Sequence, residues 1–308
     1  MITECIKEGF RLANRNAQLV FIRVAVTIIN AAGFLIFLGL PVLAAVLYMG
    51  FDLSHAKDLL PSIMENPFGL VSKYLWLVFI AGMSVIFYLL ASSVLFLYAL
   101  GGILGALRNS AVHMQDGPGL SSFFREANKN FSGLLRLVFV LALFSVLIFI
   151  LFIISLGTAA AVMYAFTGHE TRIGVFFGSF VLLSVMVFSG MIFMAGFILA
   201  VYAMVIQIVE KSGAVDTVRK TAAFLKKRPS AFLFYMVLLS GVMLLNIIFF
   251  LLELSFGAVP VIAPFAAFFI MLLNAFLHSY ITVAVWSSLI VYYVKCTGHT
   301  VYQAMYEI

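Results

Sequence analysis

Five side chains could do polar chemistry inside an otherwise greasy sequence: Asn30, Asn246, Glu253, Asn274 and His278. Each falls within a long apolar run. There an amide, imidazole or carboxylate is costly and serves binding, proton transfer or helix association. Asn274 and His278 are one helical turn apart and share a face, and Asn246 and Glu253 share a face of another helix. Turned toward Asn30, these faces would form a polar patch that binds a solute or a proton. The competing use is structural, because amides and imidazoles also hydrogen-bond neighbouring helices together. Glu253 is the one carboxylate inside an apolar run, and it sits near the end of that run, within reach of headgroups and water.

A second set is cationic. Arg15, Arg23, Lys129, Arg136, Lys226, Lys227 and Arg228 stand at the edges of apolar runs, where long basic side chains snorkel toward anionic headgroups. Beyond these sets the chemistry thins out. The sequence contains no HExxH, no GxSxG and no Gly-rich phosphate loop ending in Lys-Ser/Thr. The five histidines are scattered without ligand spacing, so neither a metal nor another cofactor is expected. The chain reads as non-enzymatic. Cys5 and Cys296 lie near opposite ends of the sequence and imply no disulfide framework.

What must position these residues is a membrane fold. Of 308 residues, 65% are hydrophobic and only 10% are charged, against about 25% charged in a soluble domain. Mean hydropathy is +1.18. The formal net charge of +6 sits in short stretches between apolar blocks, which fits anionic lipid rather than nucleic acid. The opening MITECIKEGF has no apolar core and does not read as a signal peptide.

Six apolar blocks, at 19–49, 74–107, 133–166, 173–209, 231–254 and 262–294, are each long enough to cross a bilayer. Of the 18 basic residues, only Lys57, Lys73 and Arg172 fall in the connections on one side. By the positive-inside rule the other side, with both termini, is cytoplasmic.

A phrase recurs before two of these blocks: FRLANRN at 10–16 and FREANKN at 124–130. A weaker third copy, AVDTVRKTAAFLKKRPS at 214–230, precedes block five. Apolar stripes run through each: Ile2, Cys5, Ile6, Phe10 and Ala13; Leu120, Phe123, Phe124 and Ala127; Val215, Val218, Ala222 and Leu225. Each copy predicts a short amphipathic helix in the cytoplasmic interface, ending at Asn16, Asn130 or Pro229 and followed by a transmembrane hairpin. The units are 1–107, 108–210 and 211–308, with 298–308 as a truncated fourth interfacial helix. Gly101/Gly105 and Gly174/Gly178 form GxxxG pairs that predict close helix packing.

Mitochondrial carriers share the six spans and three units, but their Px[DE]xx[KR] signature is missing. The first odd block gives PVLAAV at Pro41. In its lead-ins, GFRLANRN before block one and EKSGAVDTVRKTAAFLKKRPSAF at 210–232, the chain resembles prokaryotic six-span membrane proteins similar to the membrane domain of bacterial glycerophosphodiester phosphodiesterases. That resemblance implies an integral membrane protein without the phosphodiesterase barrel.

The expectation is therefore one all-α membrane domain over 1–308, in a bacterial or archaeal plasma membrane. Its six transmembrane helices form three repeats of interfacial helix plus hairpin. Two functions fit. One is a scaffold or accessory subunit that engages membrane proteins and anionic lipid. The alternative is a transporter or lipid-handling protein with a path between spans 1, 5 and 6.

Overall fold

Lipid offers no partners to backbone N–H and C=O groups, so an apolar chain must satisfy them within each segment, as helix. The computed structural model describes residues 1–48, 75–113, 120–167, 172–257 and 263–298, and no strand occurs among them. Helix α1 is Ile2–Arg15 and α2 is Ala17–Phe34; a π-helical turn at Leu35–Gly39 leads into α3, Leu40–Tyr48. Then come α4 (Leu75–His113), α5 (Leu120–Thr167), α6 (Arg172–Glu210), α7 (Ala214–Lys227), α8 (Ser230–Gly257) and α9 (Ala263–Thr297). Pro41 accounts for the π-helical turn. Its ring crowds the carbonyl of Phe37 and it carries no N–H, so a wider turn absorbs the mismatch.

Six stretches are long and apolar enough to cross a membrane: Ala17–Ala44, Phe79–Ala111, Leu120–Ala165, Phe176–Glu210, Ser230–Ser255 and Phe269–Thr297. The connection at 49–74 lies outside the described residues, as does the tail at 299–308, where a truncated interfacial helix is expected.

The packed core sits at the end of the bundle that carries α1, α7 and most of the basic residues. Leu104, Leu107, Leu134, Ile206, Phe234 and Leu289 are buried there. Phe234 stacks on Tyr292 with ring centroids 4.3 Å apart, and Tyr202 donates to the Ala231 carbonyl at 3.0 Å. Tyr293 and Lys220 both bond Glu210, tying α6, α7 and α9 together. Toward the opposite end, large apolar side chains such as Phe87, Phe149, Phe188 and Phe250 point outward, the arrangement lipid favours.

Small residues set the closest approaches. A Cβ on Gly102 would meet Phe123 Cδ2 at 2.7 Å, and one on Gly105 would meet Glu126 Cβ at 2.8 Å. Gly102 and Gly105 thus let α5 lie tight against α4, while a Cβ on Gly101, the other member of the predicted pair, would meet its nearest neighbour, Leu134 Cδ1, at 3.3 Å.

The two copies of the opening phrase diverge. At Asn16 the chain leaves helical geometry (φ −112°, ψ 37°), and Asn16 Nδ2 donates to Leu12 O in the preceding turn at 2.7 Å. The break expected at Asn130 is not there: α5 runs unbroken through that residue. Asn130 Nδ2 turns instead to Gly101 O on α4, at 3.2 Å. An asparagine that bonds a neighbouring helix does not compete for its own backbone, so the helix continues. Near Pro229 the chain again breaks, at Arg228 (φ −130°, ψ 74°), because a residue before proline resists helical geometry.

The predicted stripes coincide only in part with the buried faces: Phe123 and Ala127 are buried on α5, while Phe10, Leu120 and Phe124 are exposed. On α1, Cys5, Leu12 and Ala13 are buried, and α1 packs on α9. On α7 the buried face is Thr217, Thr221 and Leu225, while Val215 and Ala222 are exposed. The threonines are satisfied inside: Thr217 Oγ1 donates to Gln207 Oε1, and Thr221 Oγ1 to the Thr217 carbonyl at 2.7 Å.

Candidate functional site

Arg23, Thr27 and Asn30 recur at helical spacing on α2, so one face of the first span carries a cation, a hydroxyl and an amide. Opposite them, α4 presents Ser92, Ser93 and Phe96, and α9 presents His278. Together they line a cavity of about 500 Å³, with Met204 of α6 and Val138 of α5 completing the wall. At about 1.5 Å per residue, Arg23 stands about 9 Å and Asn30 about 20 Å along the axis from the start of α2. The cavity therefore reaches from the basic end toward the middle of the first span.

The Arg23 guanidinium carbon lies 5.2 Å from the centroid of the Phe96 ring, a cation–π contact that holds the charge beside the cavity. Thr27 Oγ1 is engaged with the Arg23 carbonyl at 3.0 Å. Tyr88 Oη donates to Asn30 Oδ1 at 3.3 Å. No carboxylate is among the lining residues. The chemistry on offer is hydrogen bonding plus one cation, which suits an anionic or neutral polar group.

Of the five polar residues singled out from sequence, Asn30 and His278 come together here. Asn274 is half-buried one turn from His278 and is not part of the lining. Asn246 and Glu253 are exposed on α8 and do not reach this cavity. The polar region lies between spans 1, 2 and 6 rather than 1, 5 and 6. Span 2 takes the place assigned to span 5 because α4, not α8, packs against α2.

The cationic set also divides. Arg23 belongs to the cavity just described. Arg15 is exposed at the end of α1, and Lys226, Lys227 and Arg228 are exposed at the end of α7, where positive charge complements the helix dipole. Lys129 and Arg136 share a second, smaller cleft of about 300 Å³ with Lys211, Gln207, Ser132 and the start of α7.

Sequence reasoning missed Lys211, Gln207, Ser92, Ser93 and Thr27. Thr27 was within reach, since its spacing from Arg23 and Asn30 is visible in the sequence. Among the described residues, no group of three or more His, Cys, Asp and Glu side chains is placed to hold a metal ion.

The phrase copies place their first asparagines alike and their second ones differently. Asn14 accepts from Tyr280 of α9 at 2.7 Å, and Asn128 accepts from Tyr98 of α4 at 2.8 Å. Two residues on, Asn16 accepts from Ser110 of α4 at 2.9 Å, and Asn130 bonds Gly101 of the same helix. These residues fasten the lead-in segments to the spans, and their role is assembly rather than ligand binding.

No family model matches the chain, and no curated protein or solved structure matches it.

Proposed function

We propose that this chain is a non-enzymatic, multi-pass membrane protein that handles an anionic or polar solute, or the polar part of a lipid, in the cavity between spans 1, 2 and 6. The observation that carries the reading is a space of about 500 Å³, lined by Arg23, Thr27, Asn30, Ser92, Ser93 and His278 and by no carboxylate. Thr27, Ser93 and His278 are exposed, so the space opens at the side and a ligand can enter it. A lone cation in a low-dielectric wall attracts an anion and repels a cation.

The test is side-chain accessibility. In a chain with Cys5 and Cys296 replaced by serine, single cysteines at Thr27, Ser92 and His278 are treated with small membrane-impermeant thiosulfonates. All three should react from the basic side. A negatively charged reagent should outpace a positively charged one at Thr27, and Arg23→Gln should erase that difference. Failure of all three positions to react would remove the reading.

The orientation and the units belong to the same proposal. We infer that both termini face the cytoplasm of a prokaryotic cell, since the basic residues cluster at that end. The like bonds of Asn14 and Asn128, each accepting from a tyrosine hydroxyl of a neighbouring span, support descent of the first two units from one ancestor. A second reading, an accessory subunit, draws on α8. Its apolar side chains Met243, Leu244, Ile247 and Leu251 are exposed, and it packs chiefly on α9. A partner that co-purifies stoichiometrically, and is lost when Leu244 and Ile247 are changed to alanine, would establish that role.

A further inference from the structure

We propose that the cleft where α5, α6 and the start of α7 meet binds an anionic phospholipid, its phosphate held by Lys129, Arg136 and Lys211 and an acyl chain lying in the apolar groove beyond. This site is separate from the central cavity and does not depend on the reading given to that cavity.

The charge pattern comes first. The cleft holds about 300 Å³, and its lining has three basic side chains and no acidic one. Hydroxyl and amide groups of Ser132 and Gln207 add to the wall. Three carboxylates stand near the cleft without lining it, and Asp216, on the first turn of α7, has its Oδ2 3.5 Å from where a Cβ on Gly213 would be. Glu210 is paired with Lys220 at 2.5 Å and bonded by Tyr293, while Glu126 is buried beside Asn130. Burial lowers the Lys211 amine from its ordinary value, and the neighbouring Lys129 and Arg108 push it lower still. Glu126, behind the lining, offsets this only in part, so the cleft keeps an excess of positive charge.

The backbone gives a second observation. Lys211 has φ 54°, the left-handed region, where glycine is the usual residue after a helix. A lysine is strained there, and such strain concentrates at binding sites. Its N–H still closes α6 on the Gln207 carbonyl at 3.0 Å, so the turn needs this geometry but not this side chain.

An apolar groove on the same three helices points to a lipid as the ligand. An apolar groove of about 260 Å³ is lined by Leu141 and Phe144 of α5, Gly196 and Ala200 of α6, and Val218 of α7. From Arg136 to Leu141, from Gln207 to Ala200 and from Ala214 to Val218 is one to two helical turns, about 6–10 Å. On α5 and α6 the groove lies on the side of the cleft away from the basic end. A headgroup phosphate followed by hydrocarbon matches that order, and a free phosphate would use only the cleft.

The experiment is thermal unfolding of the full chain in neutral detergent with added phosphatidylglycerol, phosphatidylcholine or inorganic phosphate. Phosphatidylglycerol should raise the melting temperature well above the value with phosphatidylcholine, whose choline the cleft repels. The double variant Lys129→Gln/Arg136→Gln should lose more than half of that shift. Lys211→Gly relieves the backbone, so it should unfold no lower than the parent without lipid, yet lose most of its response. Gly196→Leu fills the groove and should weaken the lipid response. Equal response to the two lipids, or an undiminished response in Lys211→Gly and in the double variant, overturns the site. Stabilisation by inorganic phosphate equal to that by phosphatidylglycerol, and unaffected by Gly196→Leu, overturns the assignment to lipid.

Discussion

Gly9 of α1 lies so close to Ser288 of α9 that a Cβ on Gly9 would stand 2.5 Å from Ser288 Cα and 2.7 Å from its Cβ. No side chain fits between the two backbones. Gly9→Ala should therefore push α1 off α9 and cost roughly 1–3 kcal/mol, the usual penalty of overpacking. Thermal unfolding in detergent measures it. Ser288→Ala should not restore stability, since Cα and Cβ remain. An unaltered melting temperature in Gly9→Ala would contradict the contact.

Asn16 is almost wholly buried, and it links Leu12 O to Ser110 Oγ. Replacing it with leucine leaves the Ser110 hydroxyl without this partner and should cost about 1–3 kcal/mol. A double-mutant cycle with Ser110→Ala should give a coupling of about 0.5–3 kcal/mol. Strict additivity would show that the bond contributes nothing.

Cys5 is fully buried, while Cys296 is partly open. Burial raises the Cys5 thiol above its ordinary 9.0. Iodoacetamide at pH 8 should modify Cys296 in the folded chain and spare Cys5. Modification of Cys5 should appear in Gly9→Ala, because α1 then undocks. Equal rates at the two thiols in the parent chain would speak against a docked α1.

Lys211 and Cys5 tilt stability with pH in opposite directions. The Lys211 amine is lowered on folding. Between its folded pKa and the ordinary lysine value, the unfolded chain holds more protons, and stability climbs as pH rises. The Cys5 thiol is raised, so above the ordinary thiol value the folded chain holds more protons, and stability declines as pH rises. Lys211→Gly should flatten the climbing component relative to the parent, and Cys5→Ala should flatten the declining one. Urea unfolding from pH 7 to pH 10.5 compares them, and parallel curves for parent and variant would refute the assignment in each case.

The spans were legible because composition leaves the chain no other solvent, and an apolar run long enough to cross needs only counting. The phrase at 10–16 and 124–130 was legible as a recurrence, but its outcome was not. Whether Asn16 or Asn130 ends a helix depends on which carbonyl its amide finds, and Gly101 is available to Asn130 only after α4 has docked. The stripe on α7 was misjudged for a related reason. Thr217 and Thr221 look like surface residues until Gln207 and their own helix supply bonds that make burial acceptable. In the central cavity, the face of Arg23, Thr27 and Asn30 follows from spacing alone. Ser92 and Ser93 join it through the pairing of α2 with α4, which no local pattern encodes.

Glu8 and Lys295, an ion pair at 2.7 Å, are 287 positions apart. During synthesis at roughly 5–20 residues per second, α1 would wait about 15–60 s for the surface it docks on. Through that interval its stripe of Cys5, Leu12 and Ala13 is open to the translating cell's membrane and chaperones. Docking of α1 thus waits on a surface made late, and a chain arrested before α9 would carry a loose, sticky helix that quality control can recognise.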